Sequence, residues 1–188
     1  MRITYGAELP LPAEEAFAFV ADPLNWPLFF PGRLAAAKDD DWGRVGGHAR
    51  LTSIILGRPM TMDVELTEWD PPNAFRYTVS REGGPANDDN RRTFQPVPQG
   101  TRLIGTTEIP TRPGPAGLVD RLQMALVRRI FGTAMTRLPR AAATGTAARR
   151  RVARRTGGDT TVRAVDEEQP DSHRGSRLLD DPLRVSGG

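Results

Sequence analysis

The sequence predicts an α+β fold: an antiparallel sheet of about seven strands, two short helices after the first strand, and one long helix toward the C-terminal end. Three observations carry this. Apolar and polar residues alternate over residues 2–9 and again through most of the stretch up to about residue 110, as half-buried strands require. The breaks between the later strands are too short to hold crossover helices, so neighbours run antiparallel. The period changes to a helical one twice, briefly after residue 12 and at length over about 115–138.

Each element has its own signal. Ile3, Tyr5, Ala7 and Leu9 lie on one side of the first strand, with Arg2, Thr4 and Glu8 on the other. Ala13, Ala16, Phe17 and Val20 then recur at helical spacing behind Pro12, with Glu14 and Glu15 at the positive end of the helix dipole. Asp22-Pro23 is a cap followed by a first-turn proline, so "DPLNWPLFFPG" predicts a second, tight helix broken by Pro27 and closed by Pro31-Gly32. Breaks at "DDDWG", "LGRP", "DPPN", "EGGPANDDN" and "VPQGT" divide the following segment into about six strands in a meander.

The hairpin "MTMDVELTEWDPPNAFRYTVS" is the most informative of these. Met60, Met62, Val64 and Leu66 alternate with polar residues, as do Phe75, Tyr77 and Val79 beyond the Pro-Pro turn. One face is apolar and soft. In the long helix Val119, Val127, Ile130, Phe131, Ala134 and Leu138 gather on one side, and Asp120 and Gln123 fall within that arc. Pro139 is expected to end it. Residues 140–188 are rich in Arg, Asp, Gly, Thr and Ser, contain no aromatic residue, and show no sustained period; they are expected to form a disordered tail behind a domain at 1–139.

Composition removes several kinds of chemistry. There are no cysteines among the 188 residues, which excludes disulfides, thiolate nucleophiles and Cys-based zinc sites and fits a cytoplasmic protein. The only histidines are His48, whose parity with Arg50 puts it on the outer face of its strand, and His173 in the polar tail, so no metal site and no cofactor is expected. "MRITYGAELPLP" has no apolar h-region and no stretch approaches a membrane span, so neither secretion by the usual signal nor membrane embedding is expected. Residues 1–139 carry 16 basic and 16 acidic side chains, so the net charge of +3 comes from the tail. The tail's cluster "RRRVARR" has two readings, a weak contact with anionic membrane or nucleic acid, or a solubilising segment partly neutralised by "DEEQPD" downstream. "GRVGG" matches no phosphate-binding pattern and reads as a loose hairpin.

The order of elements resembles the START-like, or SRPBCC, superfamily of polyketide cyclases, lipid-transfer proteins and birch-pollen-allergen-like carriers. "LPAEEAFAFVADPLNWPLFFPG" resembles its helix pair, "DVELTEWDPPNAFRYTVS" its central hairpin, and "RRTFQPVPQGTRLIGTTEI" its last hairpin. The resemblance implies a helix-grip fold, in which the curved sheet wraps the long helix around a ligand cavity. It also implies that Trp26 and Phe30 line that cavity, and it places Arg33 where the cyclase branch often has tyrosine. Arg92 shares strand parity with Phe94, at a position that looks like an aromatic cavity residue in the cyclases. Thr67, Glu68 and Trp69 stand where the cyclases show a Ser-x-Arg pattern, and the long helix has no histidine.

Several residues carry two readings. Met60 and Met62 are either core filler or an adaptable pocket wall. Tyr77 either presents its hydroxyl to the cavity as a donor or weak acid, or bonds to backbone. Arg92 either points out and is solvated, the ordinary environment of arginine, or points in and meets Asp120 or a ligand oxygen. The expected function is binding or transport of a small hydrophobic or aromatic ligand such as a lipid, quinone or polyketide-like molecule. Met60, Met62, Val64, Phe75, Phe94, Met124, Val127, Ile130 and Phe131 would strip it of water, and Tyr77, Arg92, Asp120 or Gln123 would orient it. The alternatives are a polyketide cyclase or aromatase moving protons with Tyr77 and Arg92, and an interaction module using the basic tail.

Overall fold

The computed structural model describes residues 1–55, 58–81, 86–110 and 116–157. The alternating stretches form one seven-stranded antiparallel sheet: β1 (Arg2–Leu9), β2 (Leu34–Lys38), β3 (His48–Ile55), β4 (Arg58–Asp70), β5 (Ala74–Arg81), β6 (Ala86–Val97) and β7 (Gly100–Glu108). The spatial order is β1-β7-β6-β5-β4-β3-β2, so β2 to β7 are a meander and the first strand pairs with the last. Helices α1 (Ala13–Val20) and α2 (Trp26–Phe29), joined by a 3-10 turn at Pro23–Asn25, carry the chain from one edge of the sheet to the other. β6 begins at Ala86, so the end of "EGGPANDDN" is strand and not the break expected of it.

Alternation sorts the sheet into two faces. The inner face buries Ile3, Leu9, Val64, Leu66, Phe75, Phe94 and Leu103. The outer face carries cross-strand ion pairs, Arg2 with Glu108, Arg50 with Asp63, Arg76 with Asp89, Arg91 with Glu68 and Arg102 with Glu8. His48 is exposed on this outer side, as its parity predicts.

The helix pair is tied down by side chains that meet the free carbonyls at the end of α1. Asn25 Nδ2 donates to Phe19 O at 2.8 Å, Trp26 Nε1 to Val20 O at 2.8 Å, and Trp42 Nε1 to Ala21 O at 2.9 Å. Asp22 caps the turn by accepting from Leu24 N at 3.1 Å, with Pro23 in the first-turn position. Phe17 projects from α1 onto the inner face and meets Trp69, Phe75 and Phe94 edge-on at 5.0, 5.8 and 5.3 Å.

The long helix α3 runs Ala116–Gly157, and Pro139 lies inside it. The expected stop at Pro139 is therefore corrected, and residues 140–157, assigned to a disordered tail by composition, are helical. The cause is tertiary packing. Pro139 removes one backbone donor, yet Leu138 and Ala142 on either side of it are fully buried. At Gly145 an added Cβ would stand 2.6 Å from the Phe19 ring, so the helix continues because it lies against α1. Residues 158–188 lie outside the described residues.

Candidate functional site

The inner face is covered unevenly. At one end α1 fills it, with Phe17 wedged among Trp69, Phe75 and Phe94. Farther along the same strands α3 bridges the sheet without filling the space, leaving a cavity of about 350 Å³. Val127, Ile130 and Phe131 form its helical wall and Met60, Met62 and Val79 its sheet wall. Trp26 and Phe30 close the side nearest the helix pair, with Leu34 and Leu51 beside them.

Of the residues proposed from sequence, Trp26, Phe30, Met60, Met62, Tyr77, Val127, Ile130 and Phe131 line this cavity. Val64, Phe75 and Phe94 are placed in the packed core instead, and Met124 is buried against Ile3 and Ile109. The side chains of Asp120 and Gln123 lie outside the described residues. Arg33 is exposed. Asp88, Asn90, Val79, Arg81 and Leu126 line the cavity and were missed. For Asp88 and Asn90 the signal was present: they share the parity of Arg92 and Phe94, but lie in a stretch read as a turn.

Arg92 points inward and is 4% exposed, which overturns the solvated reading. It sits behind the cavity wall, where Nη2 donates to Tyr77 Oη at 2.8 Å and Nη1 to Arg91 O at 3.2 Å. Its guanidinium carbon lies 4.8, 5.4 and 5.5 Å from the ring centres of Tyr5, Tyr77 and Phe131. Aromatic faces and one phenol thus replace the carboxylate that a buried cation ordinarily needs. No carboxylate pairs with it among the described residues. Gly105 makes the arrangement fit: it stands between Arg92 and Tyr5 in register, and an added Cβ would be 2.2 Å from the Tyr5 ring.

The proton arrangement follows from donor counting. A guanidinium can only donate, so Tyr77 Oη accepts from Arg92 and its own hydrogen is left over. Thr107 Oγ1 donates to Asn90 Oδ1 at 2.7 Å, so the Tyr5 hydroxyl, 3.3 Å from Thr107, is the donor in that pair. Asn90, 2% exposed and on the cavity wall, keeps its Nδ2 hydrogens without a partner among the described residues. At Tyr77 and Asn90 the cavity wall therefore offers donors. Burial pushes the Tyr77 hydroxyl well above the ordinary tyrosine range despite the opposing charge of Arg92, so it stays protonated. Desolvation also raises Asp88 above the usual carboxylate value. Among the described residues no cluster of three His, Asp or Glu side chains could hold a metal ion. No described helix is long and apolar enough to cross a membrane.

A family model described as "Polyketide cyclase / dehydrase and lipid transport" matches residues 1–143. No curated protein matches the chain in sequence. Among solved structures, NE0264 from Nitrosomonas europaea is similar at a TM-score of 0.62 and 18% identity, covering 78% of this chain and 97% of its own. CV1439 from Chromobacterium violaceum is similar at 0.58 and 19%, over 74% and 95%. DynU16, a protein described as belonging to the dynemicin biosynthetic locus, is similar at 0.56 and 22%, over 77% of this chain and 48% of its own. At these identities the likeness establishes the fold alone.

Proposed function

Because the chain belongs to the polyketide cyclase/dehydrase and lipid transport family, we propose that it binds a small apolar or aromatic molecule carrying an acceptor oxygen, held between the sheet and α3. The observation that carries this reading is the cavity itself, apolar along its walls and supplied at one end with the Tyr77 hydroxyl and the Asn90 amide. Apolar contact with Met60, Met62, Val127 and Ile130 supplies affinity at about 25 cal/mol per Å² before ordering costs. The two donors supply orientation. A ketone, quinone or carboxylate oxygen satisfies them, and the positive field of Arg92 behind Tyr77 favours partial negative charge there.

Native mass spectrometry and solvent extraction of the purified full chain test the reading, followed by thermal melts against quinones, aryl ketones and fatty acids beside matched hydrocarbons. The expected result is a bound or bindable guest, with the oxygen-bearing compounds preferred over their hydrocarbons and the preference weakened in Tyr77→Phe. A folded protein that stays empty, and gains no stability from any compound, contradicts it.

A second reading, a cyclase or dehydrase acting on a poly-ketone chain, is favoured by one observation: Asp88 borders the cavity with a carboxyl whose pKa is raised, a feature of general acids and bases. Turnover of a poly-ketone substrate that is lost in Asp88→Asn, and in Tyr77→Phe with Arg92→Ala, supports the enzyme. Binding without turnover supports the carrier.

A further inference from the structure

Two groups of arginines differ in what they meet. On the outer face of the sheet Arg2, Arg50, Arg76, Arg91 and Arg102 each meet a carboxylate. On α3, Arg121, Arg128, Arg129, Arg137 and Arg140 are all exposed, and none of them makes an ion pair among the described residues. They occupy the surface of the helix left free when Met124, Ala134, Leu138 and Ala142 are buried. The sequence of α3 holds Asp120 as its one acidic residue. Because the backbone stays helical through Gly157, the "RRRVARR" segment continues the same element instead of forming a separate tail motif.

This cationic face borders the cavity. Leu126 is 53% exposed and also lines the cavity, so it stands where the cavity meets solvent, one turn from Arg129. Arg81 likewise is exposed, lines the cavity and makes no ion pair among the described residues. An apolar side chain at an opening rimmed by unpaired guanidinium groups fits a surface that is anionic outside and apolar a few ångströms below. We infer that the arginine face of α3, with Leu126 and Arg81 at the cavity rim, docks on an anionic phospholipid surface. For the nature of the guest taken up there, the inference rests on the ligand-binding reading. Nucleic acid fits less well: Phe131, the one aromatic residue of α3, is packed between Tyr5 and Phe30 and is not available to stack on bases.

Vesicle flotation with the full chain tests this, using phosphatidylcholine vesicles with and without phosphatidylserine. Binding is expected only to the phosphatidylserine vesicles, falling steeply as salt rises. Each basic side chain near such a surface contributes about five-fold, so a triple variant of Arg121→Gln, Arg128→Gln and Arg129→Gln should lose about a hundred-fold in partitioning. The matching Arg→Lys triple should retain it, and Leu126→Ser should weaken it several-fold without changing the salt dependence. Three results overturn the inference: equal binding to both vesicle types, a triple glutamine variant that binds like wild type, or tighter binding to random-sequence oligonucleotides than to phosphatidylserine vesicles at the same salt. Native mass spectrometry of the same samples separates the two ideas. An empty protein that docks defeats the cavity reading alone, and a loaded protein that does not dock defeats the docking face alone.

Discussion

The two ends of the inner sheet face are built from the same strands and differ in what covers them. On β5 and β6, Phe75 and Phe94 lie under α1 in a dry aromatic cluster. Tyr77 and Arg92 come two residues farther along their strands, then Val79, Asn90 and Asp88 beside the cavity under α3. Period-2 alternation decides which side chains face inward but is silent on depth along the strand. Whether an inward residue is core or wall is set by the helix above it: α1 inserts Phe17, whereas α3 stays on the far side of an open space. A fold can thus keep one uninterrupted hydrophobic pattern and still hold a stable half and a receptive half.

The contrast can be sharpened by mutation. Phe75→Ala, at the filled end, should cost about 3–5 kcal/mol in denaturant unfolding, because a fully buried ring leaves a void its neighbours cannot close. Met62→Ala, at the open end, should cost less than about half of that, since its side chain already borders empty space. Equal losses would break the distinction. Tyr77→Phe should cost about 1.5–3 kcal/mol despite its small change in volume, because the buried Arg92 loses its hydroxyl acceptor. Arg91→Ala, on the solvated outer face, should cost less than about 1 kcal/mol, as its partner Glu68 remains hydrated.

The smallest effect should come from Asp88→Asn, and its size depends on pH. Burial raises the folded-state pKa of Asp88, so the stability its carboxyl contributes is present at low pH and lost as pH rises through that value. The asparagine variant should therefore melt higher than wild type at neutral pH. The gain should shrink toward zero as pH falls to about 4, the ordinary carboxylate value in an unfolded chain. Thermal melts across pH check this, and a gain that grows on acidification would contradict the assignment.

The fold was largely legible in the sequence because alternation, short breaks and capping residues are local signals. The meander of β2 to β7, the helix pair and the inward parity of Phe75, Tyr77 and Val79 all follow from them. What local signals could not supply was context. Residue type alone favours a solvated Arg92, because arginine usually is; the three rings and the phenol that hold it come from β1, β5 and α3, and meet only in the folded chain. Pro139 was read as a stop because proline disfavours helices, yet the contact of Leu138 and Ala142 with the rest of the core outweighs the lost hydrogen bond. Val64, Phe75 and Phe94 were grouped with the cavity wall on parity alone, the one property that filled and open ends share. Asp88 and Asn90 were passed over because "ANDDN" has the composition of a turn.

Xenon-pressurised crystals of the protein test the central claim most directly, since xenon enters apolar cavities and is excluded from packed cores. The account predicts xenon between Met62, Val79 and Ile130, and none among Phe17, Phe75 and Phe94. Closed packing with no gas under α3, or equal occupancy at both ends, would contradict it.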